Sequence, residues 1–257
     1  MLQVCTGEIS TLAIDHVERT AFAGSYDGEL VQLLLTSTAV QPYRKLTARH
    51  GVAEITGLAN MAAWGAGGSR TSDGIRRDPE VERHGSLLLS LAADGSVAVT
   101  SVHEGCLLLK FGNPGMGEAS AIAASSSGSL IAIGGASDGE GLLWVHKLTD
   151  SRAVRTHSPL TPLAYSDGEP LAEVTSLAFL PTDAVLEVAA GGGEGGSGIE
   201  VSSPALHRML IVGDAASHLI IYDVHSNGRP PIPLHSFKHP GPRTSWLSAT
   251  RNQVSKR

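Results

Sequence analysis

Four stretches of this chain repeat one pattern: an apolar strand, a gap, a second short apolar strand, a turn and a third strand. Self-similarity of this kind constrains architecture before local propensity does, because a unit that cannot bury its own faces must stack on copies of itself. The first copy runs over 8–14, resumes at 20–24, turns at Tyr26-Asp27-Gly28 and continues over 29–35. The second starts at Ile55-Thr56-Gly57-Leu58, resumes at 86–91, turns at Asp94-Gly95 and continues through alternating Val97 and Val99. The third reads 119–124, 129–134, Asp138-Gly139 and 142–145. The fourth reads 174–179, 209–213 and 219–224, with Ala216-Ser217 where the others place Asp-Gly.

Short apolar runs bounded by turn residues are the signal for strands. Asp-Gly between two of them marks a hairpin, because glycine reaches positive φ at little steric cost. Asp27, Gly28, Asp94, Gly95, Asp138 and Gly139 are therefore expected as structural turn residues, the aspartates bonding backbone two positions on. Gly95 and Gly139 lie 44 positions apart. Gly28 and Gly95 lie 67 apart, and removing an inserted loop of roughly 25 residues restores a similar period. The fourth strands are the faintest, as outer edges pack least; 106–111 and 233–237 are the candidates in the second and fourth copies.

A period of roughly 40 to 45 residues with four strands each is the signature of a propeller blade, so the expected fold class is all-β. On these residues the chain resembles the WD-repeat β-propeller family. Where that family carries Trp-Asp, this chain has Leu33-Leu34, Thr100-Ser101, Trp144-Val145 and Tyr222-Asp223, of which the last comes nearest. His50-Gly51 stands before the second repeat, where the family often has Gly-His. The family's Asp–His–Ser/Thr–Trp network is thus incomplete in every repeat. The resemblance implies a stack of blades that binds other proteins in a larger assembly and is no enzyme. A narrower likeness is to the splicing-associated U-box ubiquitin ligase family. The stretch Gly7 to Asp15 looks like its opening blade, and Leu88 through Leu107 is similar to its blade lacking a tryptophan. That likeness implies a role in pre-mRNA splicing without the U-box itself.

Four blades are few for a closed ring, since propellers have four to eight. An open end would leave an apolar face in water. Three alternatives follow: a ring completed by another chain, further blades hidden in the sequence, for example in 146–172, or a chain that is one end of a longer protein. These alternatives are open on the sequence.

Hydrophobic residues make up 42% of the 257, but only four Phe, four Tyr and three Trp are among them, so Leu, Ile, Val and Ala must build the core. No apolar stretch approaches the eighteen or so residues of a membrane helix, and no secretory signal is expected, because Met1 to Ser10 lacks a basic segment followed by an apolar one. Cys5 and Cys106 cannot make a disulfide framework, and a reducing compartment, cytosol or nucleus, is expected. The net charge of −6 is uneven. From Ser226 onward there are six basic residues and no acidic one, leaving 13 basic against 25 acidic groups before it. An acidic body argues against nucleic acid as the main partner; only the tail has the charge to touch RNA or an acidic protein. The expected organisation is a propeller over 1–225, with inserted loops at about 61–85 and 182–205, and a basic, Pro-containing tail over 226–257.

Apparent chemical motifs weigh against simpler readings. Gly135-Ala136-Ser137-Asp138-Gly139 matches the nucleophile elbow of serine hydrolases, which needs a strand before and a helix after; Leu142 to Val145 reads as a strand. Gly193 to Gly198 matches a dinucleotide fingerprint, but Ile199 to Pro204 is a poor helix start. Eleven histidines are scattered, with His235 and His239 the closest pair, and no cysteines stand near enough for a zinc pattern. No catalytic, cofactor-binding or metal-binding residue is therefore assigned, and a hydrolase using Ser137 is the competing class.

Overall fold

The computed structural model describes residues 5–15, 19–48, 50–61, 86–112, 117–125, 128, 130–149, 152–155, 171–180, 209–224 and 231–238. The inserted loops and most of the tail expected from sequence lie outside them.

Among the described residues all regular structure is strand. Blade 1 holds β1 (Ile9–Asp15), β2 (Thr20–Ser25), β3 (Leu30–Leu35) and β4 (Val40–Leu46). Blade 2 holds β5 (Ile55–Met61), β6 (Leu87–Ala92), β7 (Val97–Ser101) and β8 (Leu107–Phe111). Blade 3 holds β9 (Glu118–Ala124), β10 (Leu130–Ser137), β11 (Glu140–Thr149) and β12 (Arg152–Arg155). Blade 4 holds β13 (Val174–Phe179), β14 (Met209–Asp214), β15 (His218–Asp223) and β16 (Ile232–Lys238). Each blade is an antiparallel meander in chain order. Within 146–172, where a hidden blade is one alternative, 146–149 are the end of β11 and 152–155 the outer strand of blade 3, and 156–170 lie outside the described residues. The outer strand of blade 4 comes from within 226–257, so that sheet reaches past residue 225.

The blades stack in sequence, with inner strands β1, β5, β9 and β13 packing in that order. Every residue of β2 and β6 is buried, and clean alternation is lost in β6 because blades 1 and 3 cover its two faces. Leu87, Leu89 and Leu91 face blade 3, where they join Ile131, Ile133, Leu142 and Trp144. Leu88 faces blade 1, joining Phe22, Leu30 and Ile55. Leu130, Ala132, Leu143 and Val145 of blade 3 meet Leu210, Val212, Ile220 and Tyr222 of blade 4. Aliphatic side chains fill the junctions, so stability is spread over three thin layers rather than one thick core.

The turns between second and third strands take two forms. Gly28 and Gly95 both have φ +76°, and Ser217 takes the same place at φ +67°. Each donates its amide to the residue ending the second strand: Gly28 to Ser25 at 3.2 Å, Gly95 to Ala92 at 2.9 Å and Ser217 to Asp214 at 3.2 Å. Asp138 and Gly139 form a tighter two-residue turn instead, at φ +53° and +83°, with Ser137 paired to Glu140. Positive φ at both central residues fits the twist of a hairpin.

Candidate interaction surface

Each inner strand carries a bulge at its second or third residue, and the bulge organises the junction with the next blade. Thr11 pairs with Gly24, Gly57 with Leu91, Ala121 with Gly134 and Ser176 with Gly213, one residue after the skipped Ser10, Thr56, Ser120 and Thr175. Each pair contains one glycine. The residue before the bulge is Ile9, Ile55, Ala119 or Val174 in blades 1 to 4.

These positions fit together from blade to blade. A Cβ on Gly24 would lie 2.7 Å from Ile55 Cγ2, and one on Gly134 would overlap the side chain of Val174. A β-branched residue thus fills the space that each glycine leaves. Between blades 2 and 3 the sizes are exchanged: Leu91 stands at the glycine's place and faces the small Ala119 in one core. There Gly57 makes room for Ile122, whose Cγ2 would lie 2.9 Å from an added Cβ.

The skipped hydroxyl ties the same junctions. Ser10 Oγ donates to Gly24 O at 3.1 Å and lies 2.6 Å from Ile55 O of the next blade. Ser120 Oγ makes the equivalent pair of contacts, to Gly134 O at 3.5 Å and to Val174 O. Thr56 Oγ1, at the exchanged junction, is buried without a hydrogen-bond partner. Thr175 Oγ1 reaches Gly213 O at 3.3 Å, the within-blade half of the pattern.

Blade 1 exposes apolar positions of its inner strand that are buried in the other blades. The residue before the bulge is 0% exposed at Ile55, 2% at Ala119 and 0% at Val174, but 43% at Ile9. Leu58, Ile122 and Leu177 pack into junctions with preceding blades, whereas Leu12 at the same place is 62% exposed. Ile14 is exposed beside it. On blade 4, Met209, Ile211, Leu219 and Ile221 form a small apolar cluster on the face turned away from blade 3, with exposed Phe237 on the adjoining strand. No strand packing like that of the internal junctions joins β1 to β13.

A buried polar chain crosses blade 2. His50 lies with Nδ1 3.0 Å from Ser96 Oγ and Nε2 2.8 Å from Ser90 Oγ. Burial, helped by the charge of Lys110, pushes its imidazole down to about 4. Burial works to raise the carboxyl of Asp94, but the hydrogen bonds from Ser96 outweigh it and leave it lowered. The chain Asp94–Ser96–His50–Ser90 links the turn to the strand without the tryptophan of the related network, whose place is held by Thr100. Arg44 adds a second cross-blade tie, from β4 to Val102 O and to His103 O at 2.9 Å, while its Nε holds Gln32 Oε1 at 2.9 Å.

Among solved structures the chain matches the Cps50 (Swd1) β-propeller domain of Myceliophteria thermophila. The identity is 15% and the TM-score 0.56, over 91% of this chain and 56% of that one. The chain has a β-propeller fold. The propeller also matches Chaetomium thermophilum Sqt1, a structure in which Sqt1 is bound to the N-terminus of ribosomal protein L10. Here identity is 17% and the TM-score 0.52, over 90% of this chain and 49% of that one. The propeller spans about half the length of these solved chains. No family model and no curated protein matches its sequence.

The candidate sites of the sequence fall at ordinary places in this propeller. Asp27, Gly28, Asp94, Gly95, Asp138 and Gly139 all lie at the turns between second and third strands. Ser137 ends β10 and leads through its hairpin into β11, so no helix follows it. The segment 193–198 lies outside the described residues. Among the described residues no three His, Cys, Asp or Glu come together in a way that could hold a metal ion, and Cys5 and Cys106 are unbridged. Sequence reasoning missed the hydroxyl at the bulge. Its signal was present: Ser10, Thr56, Ser120 and Thr175 are each followed two and three positions later by Leu or Ile and then Ala.

Proposed function

We propose that this chain is a WD-repeat-type propeller serving as a non-catalytic protein-interaction scaffold within a larger assembly. The single observation that supports this most is the exposed apolar inner strand of blade 1. Side chains in places that are buried at every internal junction stand in water at Ile9 and Leu12. Apolar surface of this kind on a rigid frame marks a site of protein association. The acidic balance of the chain favours proteins over nucleic acid as partners, and two unbridged cysteines suit the cytosol or nucleus.

The test is native isolation of the tagged chain beside Leu12→Asp and Ile14→Asp variants, with the recovered proteins compared. Proteins held by the parent and lost from both variants are expected. Recovery of the same proteins with all three, or of none with the parent, would remove the reading. The finer reading, a propeller of the splicing-associated U-box kind, rests on the stretches Gly7–Asp15 and Leu88–Leu107. It predicts spliceosomal proteins among those recovered.

A further inference from the structure

We infer that Asp138-Gly139 is a site of covalent modification, where aspartate passes through a succinimide to isoaspartate. The fold leaves this reaction open at the corner of blade 3 and holds it back at Asp27-Gly28 and Asp94-Gly95.

The reaction needs only the chain and water. The backbone nitrogen of Gly139 attacks Cγ of the protonated Asp138 carboxyl. The carboxyl hydroxyl and the amide proton leave together as water, and the succinimide ring closes. Water then opens the ring at one of its two bonds to nitrogen. Cleavage at Cγ restores aspartate. Cleavage at the main-chain carbonyl carbon leaves isoaspartate, whose backbone runs through Cβ and Cγ while the α-carboxylate becomes the side group. A following glycine favours closure, since it has no side chain to crowd the attacking nitrogen. Two things oppose it. A hydrogen bond held by the glycine N–H must break before the nitrogen can attack, and a carboxylate held by donors must leave them.

The three corners share this dipeptide but not those bonds. Gly28 N–H donates to Ser25 O at 3.2 Å and Gly95 N–H to Ala92 O at 2.9 Å. Asp94 is held as well, because its Oδ1 accepts the Ser96 N–H at 2.8 Å. Gly28 is also pressed against the linker at Gly51 and Ala53, and Gly95 is buried. At the third corner the tighter turn changes all of this. Among the described residues neither the Asp138 carboxylate nor the Gly139 N–H has a hydrogen-bond partner. Asp138, Gly139 and Glu140 are exposed, and nothing lies within 4 Å of a Cβ built on Gly139. Both reacting groups are free at once.

The same corner is joined to two lead-in segments. One residue pair inside it, Ala136 O accepts the Gly117 N–H at 3.0 Å, just ahead of β9, and Gly141 N–H donates to Leu171 O at 2.7 Å, ahead of β13. A two-residue turn fixes the register of its hairpin. The extra backbone carbon of isoaspartate therefore loosens the Ser137–Glu140 pair and slackens the two bonds beside it. Modification at an exposed corner is felt at the entries to blades 3 and 4.

The test ages the full chain at neutral pH, native and unfolded in urea, in water enriched in heavy oxygen. Each passage through the ring leaves a heavy oxygen in the residue, read by mass spectrometry, and isoaspartate peptides separate from aspartate peptides by chromatography. In the native chain the peptide holding Asp138 should gain label and isoaspartate about 10-fold faster than those holding Asp27 and Asp94, the factor that one hydrogen bond of about 1.4 kcal/mol supplies. In urea the three rates should converge, since the bonds that guard two of the corners are gone. Asp138→Asn should close the ring faster, with ammonia leaving in place of water. In the modified fraction the Gly117 and Gly141 amides should exchange with solvent faster than in fresh protein. Equal native rates at the three corners, or no acceleration in Asp138→Asn, would overturn the proposal. Unchanged exchange at both amides would overturn its reach to the blade entries.

Discussion

Gly24 and Ile55 meet so closely that a single methyl group on the glycine would stand 2.7 Å from Ile55 Cγ2. Gly24→Ala must therefore displace a fully buried isoleucine at the junction of blades 1 and 2. A loss of about 1–3 kcal/mol is expected, read as a lower urea midpoint with the slope unchanged. Adding Ile55→Ala should return part of that loss, since the two changes share one space. Strict additivity in the double-mutant cycle would contradict the geometry.

The hydroxyls at the bulges should not be equivalent. Ser10→Ala and Ser120→Ala each remove a hydroxyl that touches two carbonyls, and a cost of about 1 kcal/mol apiece is expected. Thr56→Val removes a buried hydroxyl that has no partner, so it should be neutral or slightly stabilising. Thermal melts of the three variants separate these outcomes; a Thr56→Val loss as large as the serine losses would refute the assignment.

His50 sets an acid limit on stability. Its imidazole in the folded chain titrates at about 4, below the ~6.5 of an unperturbed histidine. Between those values the unfolded chain takes up the proton and the folded chain resists it. The contribution is complete above about pH 6.5 and is lost as pH falls through 6.5 toward 4, at most about 3 kcal/mol. Asp94, also lowered, acts in the same direction at more acidic pH. Denaturant midpoints measured from pH 7 to 4 should fall for the parent and fall less for His50→Gln; parallel curves would show that the histidine is not the titrating group.

Two glycines with similar φ offer a control on steric crowding. Gly51 (φ +74°) has nothing within 4 Å of an added Cβ, whereas Gly28 (φ +76°) faces Gly51 O at 2.6 Å and Ala53 O at 2.8 Å. Gly51→Ala should cost only the left-handed backbone penalty, about 1–2 kcal/mol. Gly28→Ala should cost clearly more, because its turn is pressed against the segment leading into blade 2. Equal melting temperatures for the two variants would argue against that contact.

The repeat was legible because each blade reuses one economy of strands and corners. The turns at Asp27-Gly28 and Asp94-Gly95, the outer strand near 106–111 and the four-blade count could be read from turn chemistry and apolar runs. The alternation expected for half-buried strands was not there to read in Leu87–Ala92, since blades press on both faces and select apolar residues throughout. The equivalence of Asp138-Gly139 with the other corners was only partial: the same dipeptide serves a tighter turn when the strands are longer. The network around His50 was hidden because Ser96 stands beyond the turn and Thr100 holds the tryptophan's place, so no family pattern points to them. An open end was foreseen from the blade number, but which side chains it exposes could not be read from sequence. Leu12 and Leu58 are the same residue in the same local setting, and only the presence or absence of a preceding blade separates them.

The exchange of sizes at Leu91 and Ala119 has a consequence for how the chain is ordered. If blade 4 followed blade 2 directly, Leu91 and Val174 would compete for one volume. If blade 3 followed blade 1, Gly24 opposite Ala119 would leave a void. The four units share a backbone plan yet cannot be shuffled, so two columns of side chains act as an address that tells each blade which neighbour to accept.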